Sequence, residues 1–415
     1  MAIFKNHKLK LAELFKVIPE ELFASISRDT NVDHYSKVLN GKLLFYLLLY
    51  ALLMDDKLGQ RGIADLYSSP HFRVLFNLNF VKEEISHSSI SERLAKIESS
   101  YFQRLYEEIY RRFSALYPAQ TIGDLKLQRV DSTLVAEASS KLAAGMTCGN
   151  EYKKKKMLKY TITYDGMFGS FAQTHTDEKY ANESLALPEN VLKHFKKSED
   201  HSNVYVFDRG QSSTDKFVEM NAQQGLLFIG RLQEKRKLKM VKELDLVVND
   251  FEDGRLKMDT WVQLYKTETK VSKTGKEHRN LILDTEIFRV IRFQPNRKDE
   301  DIVLITNILH LSTQTIASMY RRRWDIEMFF RFLKQEVNFS HFISLNENGI
   351  QVMLYMTLIA AMLIMIYKKE NEIGFKTAKR RIEIELQELI LAIVIVQTGG
   401  DLNKAISLNI NLSAP

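Results

Sequence analysis

Residues 320–334, YRRRWDIEMFFRFLK, carry a polar and an apolar face and determine how the rest of the chain is interpreted. The polar residues are Tyr320, Arg323, Glu327 and Lys334, with the spacing Y-x2-R-x3-E-x6-K. On an α-helix, at roughly 100° per residue, these four side chains fall within about 60° of one another. The apolar residues are Ile326, Phe329, Phe330 and Leu333. The pattern predicts one amphipathic helix that packs on a sheet and presents a carboxylate among cations.

Two aspartates, within or at the end of predicted strands, could converge with Glu327 on this polar face. By itself, Glu327 with Arg323 at i,i+4 spacing would be an ordinary surface ion pair. Asp131 follows the strand-like run LKLQRV, and Asp208 follows VYVF and precedes a turn. An aspartate at a strand end is common when taken singly. Three converging carboxylates repel one another unless cations compensate them, and hard divalent cations with oxygen ligands do so.

The composition is that of a globular chain with a moderate basic excess. Its 415 residues are 45% hydrophobic, and 59 Lys and Arg against 52 Asp and Glu give a formal net charge of +7. The length predicts two or three structural units. The basic balance suits a polyanionic partner such as nucleic acid. The single cysteine, Cys148, excludes a disulfide framework and a cysteine-based zinc site within the chain, which indicates a reducing compartment.

Two apolar runs, residues 43–54 and 352–367, are shorter than the roughly 20 residues that a bilayer requires. We predict buried helices there. The N-terminal sequence MAIFKNHKLKLAELFK lacks the continuous apolar core of a secretory signal. These features predict a cytoplasmic protein with no membrane partner.

The chain divides into five predicted regions by composition and periodicity. Residues 1–125 are helical, and residues 126–233 alternate strands and helices, typical of a mixed sheet with packed helices. Residues 234–300 are basic and short-stranded, which indicates a β-rich insertion. Residues 301–345 return to an apolar strand and the helix bearing Glu327, and residues 346–415 are again helical.

The segment 85–97, ISHSSISERLAKI, contains a helix-start signal. Ser88 or Ser89 as the cap, with Glu92 three residues after Ser89, predicts a capping box that opens a helix at Ile90. A short helix before it, with Arg93 on the second helix, would suit helix-turn-helix recognition of DNA. An ordinary helical hairpin explains the same pattern.

These motifs resemble those of the DDE transposases of bacterial insertion sequences, in the group with the Y-R-E-K signature. The matching segments are VDSTLV at Asp131, VFDRG at Asp208, FIGRL, LITNI and YRRRWDIEMFFRFLKQ, in order over about residues 85–370. The resemblance implies an α/β fold with a ribonuclease H-like catalytic core, a mixed sheet with flanking helices, interrupted by the β-rich insertion at 234–300. It also implies that the helical N-terminal region, residues 1–125, binds DNA.

The resemblance assigns the carboxylates a catalytic role. Asp131, Asp208 and Glu327 would bind two Mg²⁺ ions, with Mn²⁺ as a substitute, for DNA cleavage at the element's ends and strand transfer into target DNA. The implied partners are double-stranded terminal inverted repeats and target DNA, and pairing of two ends implies a homodimer in the synaptic complex.

The resemblance also names DNA-binding residues. Tyr320, Arg323 and Lys334 would hold phosphates beside the cut, a role that suits the fork of Arg and the point charge of Lys. Arg209 is a further candidate beside Asp208. Trp261, in the insertion, is a candidate stacking platform for an extruded base, although a structural role explains a tryptophan in a small β unit as well.

Three functions are compatible with the sequence. They are an active transposase, a metal-dependent nuclease on the same fold that cuts without joining, and a catalytically inactive relative that regulates by binding DNA. The full set of three carboxylates and the intact signature favour the transposase, because a protein that only binds DNA needs no metal ligands.

Overall fold

Two compact units make up the chain in the computed structural model, which describes residues 8–34, 36–54, 58–76, 78, 84–137, 142, 144–148, 155–210, 213–245, 252, 254–271, 277–296 and 300–400. The helical unit comprises Met1–Leu116, Lys141–Ala143 and Arg331–Pro415. The sheet unit comprises Tyr117–Ser140 and Ala144–Phe330. The first and last regions of the sequence therefore belong to one unit.

Thirteen α-helices are defined in the described ranges. They are α1 (Leu11–Phe15), α2 (Glu20–Thr30), α3 (Gly41–Met54), α4 (Gln60–Ser68), α5 (Pro70–Leu75), α6 (His87–Lys96), α7 (Ser99–Leu116), α8 (Glu183–Ser198), α9 (Thr214–Asn221), α10 (Thr313–Arg321), α11 (Trp324–Glu336), α12 (Glu347–Glu370) and α13 (Phe375–Gln397). A 3₁₀ turn, Glu178–Ala181, precedes α8.

The core of the helical unit is formed by the two apolar runs. Helix α12 packs against α3, α6, α7 and α13. It is long and apolar enough to cross a membrane by composition, yet 89% of its most apolar window is buried inside the structure. Eleven of the fourteen residues of α3 are buried as well. Both runs are therefore core helices, which confirms the prediction of buried helices.

Helix α6 begins earlier than the sequence predicted. Its N-cap is Ser86, whose hydroxyl accepts the N–H of Ser89 at 3.1 Å. The predicted start at Ile90 was wrong because Ser86 reaches the third N–H of the helix and so caps it one turn earlier. The guanidinium of Arg93 donates to the carbonyls of Leu39 and Val32 at 2.8 Å each. Both bonds lie within the helical unit, and DNA recognition by α6 stays a prediction.

Eleven strands in the described part of the sheet unit form one mixed sheet. They are β1 (Thr121–Ile122), β2 (Leu125–Glu137), β3 (Met146–Cys148), β4 (Lys155–Tyr164), β5 (Gly169–His175), β6 (Asn203–Phe207), β7 (Leu227–Arg231), β8 (Leu238–Glu243), β9 (Gly254–Val271), β10 (Glu277–Pro295) and β11 (Ile302–Thr306). The order is β3-β4-β2-β6-β7-β11-β10-β9-β8, with β1 on β2 and β5 on β4. Strands β2, β6 and β7 are parallel, and the other pairs are antiparallel.

The β-rich content predicted for residues 234–300 is present as β8, β9 and β10. These strands continue the central sheet, because β10 pairs with β11 and β11 pairs with β7. The mixture of strands and helices predicted for residues 126–233 is present as β2 to β7 with α8 and α9. Which of the five predicted regions fold independently stays a prediction.

The two faces of the sheet carry separate apolar cores. Alternation along the strands directs Val130, Tyr205 and Phe228 to one face, where they pack with residues of α8 and α9. It directs Leu127 and Val206 to the other face, where they pack with residues of α10. By the same alternation, Asp131 and Asp208 belong to this second face.

Candidate active site

Three polar side chains lie at one level across the parallel strands. Arg129 of β2 pairs with Val206 of β6, and Val206 pairs with Ile229 of β7. Counting two residues onward on each strand brings Asp131, Asp208 and Arg231 to the same level. Their alternation matches Leu127, Val206 and Ile229, which pack on the α10 face. The carboxyl ends of parallel strands are where ligands commonly bind in such sheets.

The signature segment is two helices with a junction between them. Helix α10 ends at Arg321 and α11 begins at Trp324. At the junction, the N–H of Asp325 donates to Arg322 O at 3.1 Å and that of Ile326 to Arg323 O at 3.2 Å, so the bonds span three residues instead of four. The prediction of one continuous helix was wrong. The carbonyl of Arg322 also accepts the Nε–H of Arg129 at 3.2 Å.

The apolar face predicted for this segment is confirmed. Its four residues, Ile326, Phe329, Phe330 and Leu333, are at most 6% exposed. The ring of Phe329 stacks on that of Tyr164 in β4, with centroids 4.6 Å apart and planes 14° from parallel. Helix α11 thus packs on the sheet as expected, which leaves its polar side toward the strand ends.

Despite the junction, the polar residues meet around Asp208. The hydroxyl of Tyr320 donates to Asp208 Oδ1 at 3.1 Å. The guanidinium of Arg323 lies 2.5 Å from Glu327 Oε1 and 3.9 Å from Asp208 Oδ2. Arg231 lies 4.0 Å from Asp208 Oδ1. Arg323 therefore sits between two of the three predicted carboxylates and balances their charge.

The charges of this cluster are reflected in two pKa values. Burial works to lower the pKa of Arg323, but the carboxylates of Glu327 and Asp208 outweigh burial and raise it. Burial raises the pKa of the Tyr320 hydroxyl, and the neighbouring Asp208 carboxylate adds to the effect. Both groups thus keep their protons at neutral pH, and Tyr320 acts as a hydrogen-bond donor.

A pocket of about 430 Å³ opens beside these residues. It combines two carboxylates and three arginines with an apolar wall. The lining residues are Asp208, Arg231, Phe293, Pro295, Ile302, Ala317, Tyr320, Arg321, Arg323, Trp324 and Glu327. Trp324 is 54% exposed, unusual for so large an apolar side chain. A pocket with acidic groups, cations and an exposed ring offers contacts to metal, phosphate and base together.

Asp131 stands beside the pocket without lining it. Its Oδ1 accepts the N–H of Ser132 at 2.8 Å. By strand register it is next to Asp208, on the same face of the sheet. The structure therefore brings Asp208, Glu327, Tyr320 and Arg323 into one pocket and puts Asp131 on the adjoining strand.

The remaining predicted residues lie farther from the carboxylates or make other contacts. Arg209 is exposed, and its backbone N–H donates to Asp208 Oδ1 at 2.8 Å. Lys334 is exposed on α11, two turns beyond Glu327 on the same side, in the part of the helix that belongs to the helical unit. Trp261 lies on β9, four strands from β6, which is roughly 19 Å at the usual strand spacing. Lys242 Nζ lies 5.0 Å from the centroid of its ring.

Known proteins match most of this chain. A family model described as a transposase DDE domain matches residues 124–363, more than half of the sequence. The chain is 32% identical over 352 residues to a probable transposase for insertion sequence element IS5377 of Geobacillus stearothermophilus, which covers 84% of this chain and 82% of that relative. The chain belongs to the DDE transposases. Its function is insertion-sequence transposition, and its DDE domain is that of an enzyme that cleaves and transfers DNA strands.

Two further matches are more distant from this transposase. A putative transposase for insertion sequence element IS4SA of Synechocystis sp. is 23% identical over 309 residues, which covers 74% of this chain and 79% of that relative. A cryo-EM structure of the piggyBac transposase synaptic complex with hairpin DNA aligns with a TM-score of 0.45 at 10% identity, covering 98% of this chain and 86% of that one. That structural likeness is too distant to support conclusions about this chain.

A DDE transposase domain implies a divalent metal ion, and the donor set of this chain fits one by its chemistry. Asp131, Asp208 and Glu327 offer hard carboxylate oxygens on one face of the sheet, and such oxygens are preferred by Mg²⁺ and Mn²⁺. Among the described residues, no three His, Cys, Asp or Glu side chains are already grouped around a common point. Arg323 holds Glu327 at 2.5 Å and would have to release it.

Three residues in or beside the candidate site were not identified from the sequence. Arg231 is the last residue of β7, and a cation at the end of an apolar strand carries no sequence signal that marks it as part of a site. Trp324 lies within the signature segment, and the sequence does not distinguish it from a buried core tryptophan. Its exposure in the pocket makes that distinction. Arg129 precedes Asp131 by two residues, a spacing that predicts the same face but not its partners.

Proposed function

We propose that Asp131, Asp208 and Glu327 are the catalytic carboxylates of this transposase, that they hold two Mg²⁺ ions, and that the chain belongs to the group with the Y-R-E-K signature. The observation that carries the proposal is the pocket in which Glu327 and Asp208 share Arg323 while Tyr320 donates to Asp208. These four residues are separated in sequence by up to 119 positions and line one pocket.

The division of labour follows from charge and position. When bound, the divalent ions would supply activation of the attacking hydroxyl and stabilisation of the leaving oxygen in phosphodiester displacement. Asp131 lies on β2, Asp208 directly follows the neighbouring strand β6, and Glu327 lies on a helix that is packed on the sheet. Ligands on regular elements are held more reproducibly than ligands on loops.

The cations around the pocket would bind the DNA backbone. Arg323 has a planar fork that can exchange the Glu327 carboxylate for a phosphate without losing charge-assisted bonds. Arg231 stands at the level of Asp208 on the next strand and would neutralise a phosphate approaching the strand ends. Tyr320 donates a hydrogen bond, and Lys334 extends the cationic side of α11. Trp324, exposed beside Glu327, is a better candidate than Trp261 for contact with a base near the cut.

The remaining assignments rest on the family and the fold. We propose a ribonuclease H-like organisation for the part of the sheet that contains β2, β4, β5, β6 and β7. Terminal inverted repeats and target DNA are the proposed substrates, a homodimer is the proposed synaptic form, and the cytoplasm is the proposed compartment. Arg209, exposed beside Asp208, is a proposed backbone contact.

The test is a reaction with purified protein, Mg²⁺ or Mn²⁺, and a labelled DNA fragment from the boundary of the element. We expect cleavage at the end and insertion of that end into a supercoiled plasmid. Glu219→Gln is the matched control for Glu327→Gln, because Glu219 is a carboxylate of α9 whose partner is Lys216. Cleavage without joined products would favour a nuclease, and DNA binding without cleavage would favour an inactive regulator.

A further inference from the structure

Arg129 is fully buried, with 0% of its surface exposed, although it is an arginine. Its Nη1 donates to Leu127 O at 3.0 Å and its Nη2 to Asp325 Oδ2 at 3.0 Å. Its Nε donates to Arg322 O at 3.2 Å, and Nη2 also donates to the side chain of Gln120. A buried guanidinium with this many directed bonds connects the elements that supply its acceptors.

The two elements joined by Arg129 carry the proposed catalytic carboxylates. Arg129 precedes Asp131 by two residues on β2, and both side chains lie on the α10 face. Its acceptors Arg322 and Asp325 form the junction between α10 and α11, and Glu327 follows Asp325 by two residues. The bond to Arg322 O occupies a carbonyl at the point where the helix is interrupted.

We propose that Arg129 is a positioning residue for transposition, which fixes the α10–α11 junction against β2 so that Glu327 is held at the level of Asp131 and Asp208. The proposal rests on the proposed carboxylate site. Arg129 contacts no substrate in this role, and it acts through the placement of Glu327.

The chemistry of the contact requires arginine. A lysine has one ammonium at the end of a flexible stem and cannot reach acceptors on both sides of the junction at once. The surroundings also fit a planar group closely, since a Cβ at Gly166 would lie 2.8 Å from Arg129 Nη1. In Arg129→Lys, either Arg322 O or Asp325 therefore loses its partner while a positive charge is kept.

A matched control exists at the opposite end of α10. Arg289 is 5% exposed and donates to both oxygens of Asp259 at 2.8 and 2.7 Å. It also donates to Leu311 O and to Thr313 Oγ1, at the start of α10. It resembles Arg129 in burial and bonding, but its acceptors are remote from Glu327 in sequence. A purely structural role would make the two arginines equivalent in their effect on metal affinity.

The experiment compares Arg129→Lys with Arg289→Lys in the full chain. Mn²⁺ binding without DNA is measured by electron paramagnetic resonance, the Mg²⁺ concentration for half-maximal cleavage is measured with DNA, and both variants are melted. We expect Arg129→Lys to weaken Mn²⁺ binding and to raise the Mg²⁺ requirement about tenfold or more, the usual effect of losing an outer-shell partner. Arg289→Lys should lower the melting temperature and leave both metal constants within about twofold of wild type.

Equal metal constants for the two variants, or a wild-type Mn²⁺ constant in Arg129→Lys, would overturn the proposal. Asp325→Asn provides a second variant if Arg129→Lys does not fold, because the Asp325 side chain is 40% exposed. It should change the metal constants in the same direction, and unchanged constants would count against the proposal. Asp208→Asn separates failure of the positioning role from failure of the carboxylate site on which it rests. If Asp208→Asn binds Mn²⁺ like wild type, the carboxylate site itself is wrong.

Discussion

Arg323 lies between Asp208 and Glu327. It balances the negative charge of these two carboxylates, which a metal ion would otherwise compensate. Its guanidinium is 2.5 Å from Glu327 and 3.9 Å from Asp208, and its side chain is only 11% exposed. The residue that is expected to hold DNA phosphates is thus bound to the carboxylates. Phosphate binding by Arg323 and release of Glu327 would therefore accompany each other, so DNA and metal should bind cooperatively.

Replacing Arg323 by Gln should expose this exchange. The variant leaves Asp208 and Glu327 without their shared cation, and we expect a loss of about 1–2 kcal/mol without metal, because both carboxylates are partly solvated. Mg²⁺ should then raise the melting temperature more in the variant than in wild type, as measured by thermal denaturation with and without the ion. Arg331→Gln, on the same helix, is the control. An equal Mg²⁺ effect in all three proteins would show that Arg323 does not shield the carboxylates.

His194 predicts a pH dependence of stability that is independent of the reaction. It is 7% exposed and its Nδ1 is 2.9 Å from the hydroxyl of Tyr205. Burial, with a contribution from Lys197, lowers the pKa of His194 from 6.5 to about 4. Protonation therefore opposes folding, so the stabilisation is complete above pH 6.5 and is lost as the pH falls toward 4.

The size of the effect can be tested by urea unfolding at two pH values. Between pH 7 and pH 5 we expect His194 to account for a loss of about 2 kcal/mol. His194→Gln keeps a polar partner for Tyr205 but does not titrate. Over the same interval, its free energy of unfolding should therefore fall by about 2 kcal/mol less than that of wild type. Parallel pH dependence in both proteins would contradict the low pKa of His194.

At the scale of elements, the junction between α10 and α11 shows what the sequence could and could not predict. Periodicity gave the buried face of α11 correctly, since Ile326 and Phe329 follow from spacing alone. The junction was missed because the segment has no Pro or Gly to mark it. A contact made at the junction is distant in sequence, since Arg129 donates to Arg322 O across 193 residues.

The candidate site was likewise only partly predictable from the sequence. Asp208 was predictable as a strand-end residue, because a run of β-forming residues precedes it. Asp131 was predicted within or at the end of a strand, and the structure places it in the middle of β2. Arg231 and Trp324 were not, because their part in the site depends on strand order and on exposure, which no local pattern encodes. Trp261 was predicted near DNA from its residue type, and its remoteness from β6 became visible only with the strand order.

The β4–β5 turn offers an element-scale test of the packing around Arg129. Gly166 has φ +98°, and an added Cβ would lie 2.8 Å from Arg129 Nη1 and from the Gln120 side chain. Gly123 has φ +58° with open space around its Cβ position. Gly166→Ala should cost about 2–3 kcal/mol and Gly123→Ala about 1 kcal/mol, since only the first adds a steric clash to backbone strain.

Urea denaturation of both glycine variants measures the difference. Equal losses would mean that the turn tolerates a methyl group and that Arg129 is not tightly enclosed. A larger loss at Gly166, combined with weakened Mn²⁺ binding, would connect this turn to the placement of the carboxylates.

For the whole molecule, the chain forms its helical unit from both ends of the sequence. The N–H of Leu11 donates to Glu385 at 2.7 Å, and the amide of Asn371 bonds the backbone of Lys8 and Leu9. A sequence read in order predicts separate N-terminal and C-terminal regions, because nothing local shows that α12 packs against α3 and α7. The sheet unit is built from Tyr117–Ser140 and Ala144–Phe330, and these two segments contain all three candidate catalytic carboxylates.

The most direct test of the central claim is cleavage and end binding measured on the same preparations of Asp131→Asn, Asp208→Asn and Glu327→Gln. If these carboxylates are one metal site, each variant should lose cleavage by at least about a hundredfold, because they act as a unit. Binding to the labelled end should stay within about twofold, because phosphate contacts to cations supply most DNA affinity. Wild-type cleavage by any one of the three would contradict its assignment as a metal ligand.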